Sequence, residues 1–401
     1  MRSMRGRRVA ALVFFLAAVI GAALVARPYV RGLTFVARAA DMRGAVRSVA
    51  NIGVSRVDVR MLELKTGNDA SAVIAARLYR PEGTPRRLAL LVSGLHPQGI
   101  DEPRLVSLAT TLAESGLAIV TPDIPELSRF EIVPRITDVI EAAALSASAL
   151  AAADGAGDGR IGLMGISFSG GLAVVAAGRP SLADRIAFVF SLGGHDDLTR
   201  VLRYLCTGVE QLPARELRIE SSSTAASSRP PHDYGAAVVL LNVAGRLVPA
   251  RQVDPLRSAV RRFLVASTLA RADKARADEE FAALEKLALP EPSATLLRYV
   301  NARDVAHLGT RLLPYIGPYG APPALSPSKS PKPRAPVFLL HSADDNLIPA
   351  AESDYLANEL RGRTRVRLLV SDLIGHADVP GPPPLTKALG MASFWGDLLS
   401  R

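Results

Sequence analysis

The stretch "RIGLMGISFSGG", Arg160 to Gly171, decides how the rest of the chain is read. Ile161 to Gly165 is a short apolar run of strand character, and just beyond Ile166 it passes into small residues that suit a helix. A strand that gives way to a helix so abruptly belongs to a βα unit, whose turn lies at the carboxyl edge of a sheet. Glycines before and after the turn, Gly165, Gly170 and Gly171, keep it free of clashes. Two serines occupy the turn. Strand register puts Ser167 at its tip, with Ser169 two residues later at the start of the helix.

The same rhythm continues on both sides. "RVDVRMLEL" (56–64) and "AVIAARLYR" (72–80) alternate and read as an antiparallel pair across the turn "KTGND". "LALLVSG" (88–94) is continuously apolar, the mark of a strand buried on both faces. A helix follows, with an acidic cap, Pro103 in its first turn and a stop at Gly116. Next come the strand "LAIVTPD", a long alanine-rich helix over 134–153, and the strand "RIAFVFSLGG" (185–194). The pattern resumes with "APVFLLH" (335–341) and "RVRLLV" (365–370), with helices near 350–361 and 384–400. Alternating strands and helices predict an α/β fold built on a mostly parallel, doubly wound sheet.

Residues 196–334 break the rhythm. "DDLTRVLRYL", "PLRSAVRRFLVAST" and "RADKARADEEFAALEKLAL" have helical periodicity, so this stretch reads as a helical cap inserted into the sheet domain. It ends in "PYGAPPALSPSKSPKPRAP" (318–336), too rich in proline for a helix and expected to be an irregular surface strap. The expected organisation is an N-terminal segment (1–30), a basic connector (31–54), the sheet domain in two parts (55–195 and 335–401), and the cap between them.

The formal charge of +10 is concentrated at the start of the chain. Residues 1–50 hold nine arginines against one acid, Asp41, so the remainder is nearly neutral and nucleic-acid binding is not expected. The arginines flank "VAALVFFLAAVIGAALVA", Val9 to Ala26, a run without charge that at about 1.5 Å per residue spans roughly 27 Å. It reads as an uncleaved transmembrane helix, with the basic N-terminus cytoplasmic and the domain outside the cytoplasm. A cleaved signal peptide, leaving a secreted or periplasmic protein, is the rival reading. The single cysteine, Cys206, excludes an intrachain disulfide and a cysteine-based zinc site.

A serine hydroxyl is a poor nucleophile unless a histidine takes its proton, an acid orients that histidine, and N–H donors receive the oxyanion. "HSADDNLIP" (341–349) follows one apolar strand and "DLIGHADV" (372–379) another. With "GISFSGG", these segments give the chain a resemblance to the α/β-hydrolase superfamily, whose Gly-x-Ser-x-Gly elbow, acid loop and Gly-His loop occur in this order. The resemblance covers residues 55–200 and 335–400. It implies an α/β-hydrolase fold and a triad of Ser167, Asp345 and His376, with Asp344 the neighbour most easily confused with the acid. Ser169 and Ser342 stand where the family has glycine.

The resemblance also implies an oxyanion hole made by the backbone N–H of Phe168 and a second N–H from "SGLHPQGIDEPR", at Leu95 or His96. That segment looks like its counterpart in dienelactone-hydrolase-like bacterial esterases. His96 and His195 are candidate substrate contacts, although each is also readable as structural, as are Asp123 and Asp196. His232 and His307 lack ligand-like spacing, so no metal or cofactor is expected. The expected activity is cleavage of a small carboxylic ester or lactone. The same triad would serve a peptidase, thioesterase or acyltransferase, and a catalytically silent binding module is the non-enzymatic alternative. Oligomeric state is not legible.

Overall fold

The structure is a computed structural model that describes residues 14, 21, 26–40, 42, 44–66, 72–212, 230–374 and 384–401. Among the described residues, eight strands form one sheet in the order β1-β2-β4-β3-β5-β6-β7-β8. β1 (Val57–Lys65) and β2 (Val73–Pro81) pair antiparallel from Val57 against Pro81 to Lys65 against Val73. β2 is also antiparallel to β4 (Leu117–Pro122). The other pairings are parallel and join β3 (Arg87–Val92), β4, β5 (Ile161–Ile166), β6 (Ile186–Leu192), β7 (Val337–Ser342) and β8 (Val366–Ser371). This is the mostly parallel, doubly wound sheet that the alternating pattern predicts.

The apolar strands explain themselves by burial on both faces. Along β3, Leu88, Leu90 and Val92 enter one core, while Ala89 and Leu91 enter the other. Alternate side chains of a strand point to opposite faces, so a strand covered on both sides needs no polar residues.

Helices follow the chain in order. α1 (26–39) and α2 (Ala45–Ala50) precede the sheet, and α3 (Pro103–Glu114) crosses from β3 to β4. Glu102 caps α3 by accepting from the Leu105 N–H at 2.7 Å, and Pro103 opens it, as the sequence predicts. α4 (Pro125–Ser128), α5 (Arg135–Ala153) and α6 (Phe168–Ala177) come next. The insertion between β6 and β7 contains α7 (Leu198–Thr207), α8 (Asp233–Leu247), α9 (Ala250–Leu269), α10 (Lys274–Glu285), α11 (Ser293–Asn301) and α12 (Val305–Gly320). α13 (Ala351–Leu360) and α14 (Leu385–Leu398) complete the chain. α5, α6 and α13 pack on one face of the sheet, and α1, α3 and α14 on the other.

Two expectations are corrected. The basic connector is part of the core: Phe35 of α1 is 1% exposed and packs on Trp395 of α14, ring centroids 4.2 Å apart. Gly32 lies against the Ala392 carbonyl and Gly396 against the Pro28 carbonyl, and either close approach would be blocked by a Cβ. The proline-rich strap is not superficial either. Its first three residues finish α12, and Leu325, Ser326 and Pro327 are buried beneath the cap. There the Leu325 carbonyl pairs with His195, and the Ser326 hydroxyl accepts from the Leu198 N–H at 3.0 Å. Polar groups of this irregular segment thus gain partners in the interior. The apolar run 9–26 falls almost wholly outside the described residues.

Candidate active site

The chain leaves β3 toward β4 on one side and returns to β5 on the other, so the crevice between their carboxyl ends is the sheet's switch point. Ser167 sits there. Its N–H donates to the Leu192 carbonyl at 2.6 Å, extending the β5–β6 pairing by one residue, and α6 starts at Phe168. Ser167 has φ 55° and ψ −130°, a region that non-glycine residues seldom occupy. Such a conformation costs about 1–3 kcal/mol and persists only where its surroundings impose it.

The surroundings do impose it. β5 is held between β3 and β6, every residue of α6 is buried, and the Ser167 carbonyl accepts from the Gly170 N–H at 2.8 Å. A Cβ at Gly165 would strike the Ser169 carbonyl, so strand and helix meet only because that residue is glycine. Ser167 is partly exposed and its hydroxyl has no hydrogen-bond partner among the described residues. Ser169 is completely buried and its hydroxyl has no partner among the described residues. Of the two serines, only Ser167 presents itself to a substrate. Neither Ser169 nor Ser342 has positive φ, so neither place demands glycine.

The loop after β3 lies against this turn: a Cβ on Gly94 would be 3.4 Å from that of Ser167. The N–H groups of Phe168 and Leu95 have no acceptor among the described residues. The Leu95 carbonyl accepts from the Tyr234 hydroxyl of α8 at 3.2 Å. Because that carbonyl shares a peptide plane with the His96 N–H, the cap orients this donor. Tyr234 carried no motif in the sequence, and only its place in the cap reveals its reach. The His96 ring is half-buried, and its Nδ1 accepts from the Gln98 N–H at 3.3 Å. Burial pushes its pKa below the ordinary histidine value; Glu102 opposes the shift and Arg104 adds to it.

His195 requires a correction. It is completely buried, its Nε2 is 2.7 Å from the Leu325 carbonyl, and its ring stacks on Phe168 at 5.2 Å with the planes 4° apart. Burial lowers its pKa, and the contact with Leu325 acts in the opposite direction. It supports the first turn of α6 from beneath and offers no surface to a substrate.

On the other side of Ser167, Asp345 projects from the loop after β7. Its Oδ1 accepts from the Leu347 and Ile348 N–H groups at 2.9 and 3.0 Å, a local turn that fixes the carboxylate. Its Oδ2 faces Gly193 at the end of β6 and stands 3.7 Å from His341 Nε2. His341 is not a free base. It is completely buried, with Nδ1 on the Ser353 hydroxyl at 2.6 Å and Nε2 on the Ile348 carbonyl at 2.9 Å. Asp344 is exposed, and its N–H turns back to the Ser342 hydroxyl at 3.3 Å. His376 lies outside the described residues, which stop at Ile374, a few residues beyond β8, and resume at Pro384.

A buried ionic cluster ties cap to acid loop. Glu352 at the start of α13 accepts from the Asp196 and Asp197 N–H groups at 2.9 and 3.0 Å and pairs with Arg200 of α7. Arg200 also reaches Asp196 at 3.0 Å and covers the Tyr355 ring. Asp196 is therefore a structural carboxylate. Burial pushes its pKa up to about 7, with Glu359 and Glu352 adding to the shift and Arg200 opposing it. Asp123, at the end of β4, is half-buried, and burial and then Asp101 raise its pKa.

No family model matches the chain, and no curated protein matches it. Similar solved structures are numerous but distant. An acylaminoacyl peptidase from Pyrococcus horikoshii is 12% identical at a TM-score of 0.41, covering 87% of this chain and 42% of its own. The chain thus spans less than half of that peptidase. A putative hydrolase from Legionella pneumophila is 11% identical at a TM-score of 0.48, covering 91% of this chain and 94% of its own. A bacterial heroin esterase is 17% identical at 0.45, covering 86% and 84%.

Proposed function

We propose that the chain is a membrane-tethered serine hydrolase that cleaves a carboxylic ester or lactone through an acyl-enzyme. The observation that carries this reading is the Ser167 backbone, which holds a partly exposed, unbonded hydroxyl at positive φ at the sheet's switch point. Structural serines have no need of such strain. In the proposed reaction the Ser167 oxygen attacks the ester carbonyl while His376 takes its proton. The Phe168 N–H, with that of Leu95 or His96, holds the oxyanion. The proton passes to the leaving alkoxide, and water then resolves the acyl group by the same route. Asp345 suits the orienting role because one carboxylate oxygen is pinned by backbone donors and the other remains for an imidazole. The tether is the apolar run Val9–Ala26, continued by α1, with the catalytic domain outside the cytoplasm.

A fluorophosphonate probe on the purified full chain tests the reading. Labelling should occur, vanish in Ser167→Ala and persist in Ser169→Ala. A folded, unlabelled wild-type protein would point instead to a silent binding module, and labelling that survives Ser167→Ala would remove the assigned nucleophile.

A further inference from the structure

Far from Ser167, at the amino edge of the parallel strands, a cavity of about 400 Å³ lies between α1, the residues after α2 and the chain entering β3. Its cationic wall is made by Arg31 and Arg38 of α1 and by Arg86, just before β3. Arg86 donates to the carbonyls of Ser115 and Leu399 and meets no carboxylate among the described residues. The Arg31 guanidinium has no hydrogen-bond or ionic partner among the described residues, and Arg27 sits one helical turn before it. Two acids also face the cavity. Glu114 is 3.6 Å from Arg38, and Glu82 is exposed at the rim. Positive charge is left in excess around Arg86. Consistent with this, its pKa is depressed to about 10, by burial first and then by Arg31 and Arg27.

The side of the rim formed by α1 and the residues after α2 is apolar. Val30 and Ile52 line the mouth and are 56% and 76% exposed. Leu33, Val46 and Val49 continue the exposed apolar surface along α1 and α2. A cationic floor beneath a rim that is apolar on one side fits a ligand that joins a phosphate to a hydrocarbon chain. The described part of α1 follows directly on the uncharged run Val9–Ala26, so with the proposed tether the cavity would lie at the membrane surface. Arginine pairs with phosphate oxygens through parallel N–H donors, and clustered basic residues beside a membrane span attract anionic lipid.

We propose that this cavity binds the phosphate headgroup of an anionic phospholipid, whose acyl chains leave over Val30 and Ile52. The lipid's availability rests on the tether proposed above, whereas the site itself does not depend on the hydrolase reading.

Native mass spectrometry of the full chain from maltoside micelles tests it, with phosphatidylglycerol and phosphatidylcholine of equal chain length offered together. The wild type should retain phosphatidylglycerol about tenfold more than phosphatidylcholine, and Arg31→Gln should lower that preference several-fold, as expected for lost charge-assisted hydrogen bonds. The Arg31 guanidinium has no partner among the described residues, so this variant keeps the test valid even if Arg86→Gln fails to fold. Unchanged selectivity in folded Arg31→Gln, or equal retention of both lipids by the wild type, overturns the site. Retention of inorganic phosphate alone, with displacement of the lipid at millimolar concentration, overturns the lipid assignment in favour of a free-phosphate site. The intact mass in the same spectrum shows whether residues 1–26 are present, so failure of the tether is read apart from failure of the site.

Discussion

Replacing Ser167 by glycine should stabilise the protein while removing the proposed nucleophile. At φ 55° and ψ −130° a side chain costs about 1–3 kcal/mol, whereas glycine reaches this region freely. Glycine gives back about 0.5–1 kcal/mol through the greater entropy of the unfolded chain. The net gain over alanine at the same position is therefore about 0–2.5 kcal/mol. Ser167→Ala is the proper reference, because it also lacks the unbonded hydroxyl but keeps the Cβ and with it the strain. With an unfolding entropy of about 2.1 cal/mol/K per residue over the 401 residues, each kcal/mol moves Tm by only about 1 °C. Urea denaturation at fixed temperature is accordingly the better assay, read as a shift in midpoint at constant slope. The midpoints should rank Gly above Ala, with Ala close to wild type. A Ser167→Ala protein as stable as Ser167→Gly, or more so, would refute the claim that the turn stores strain.

Asp345→Asn keeps the shape and the oxygen held by Leu347 and Ile348, yet withdraws the charge offered to the base. It should lower kcat on a p-nitrophenyl ester by about 10³–10⁴-fold, with the thermal midpoint little changed. Tyr234→Phe removes the 3.2 Å bond to the Leu95 carbonyl, and should cost about 1 kcal/mol of stability while lowering kcat more than it raises KM. Asp196 gives a pH signature. Its folded pKa of about 7 lies above that of an unfolded aspartate, so the folded state keeps a proton that the unfolded state has released. Stability should be fullest near pH 4 and fall as pH rises toward 7, by on the order of 2–4 kcal/mol. Asp196→Asn should flatten this fall in urea titrations at successive pH values, and an unaltered slope would exclude Asp196 as its source.

The features legible in the chain are local ones. The sheet's strands are legible because burial on both faces demands unbroken apolar runs, and the βα turn because it needs Gly165 beside it. Asp345 was read only from the resemblance, and its turn, closed by the N–H groups two and three places ahead, is a finding of the structure. The cap was only half legible. α7 and α9 show a polar and an apolar face, whereas "GAAVVLLNVAG" in α8 is almost wholly buried and therefore has no polar face to announce a helix. His376 remains an inference from its motif alone.

Tertiary structure decided what no period or spacing encodes. It set how far each serine is buried, Ser169 completely and Ser167 only in part, because β5, β6 and α6 leave the turn one conformation. It turned His195 from a candidate contact into a support under Phe168, and drew α1 and the proline-rich strap into the interior. It also brought Tyr234 to Leu95 and Glu352 to Arg200, pairs 139 and 152 residues apart. Such contacts depend on how distant elements stack, and that depends on the filling of a shared core rather than on the residues adjacent in the chain.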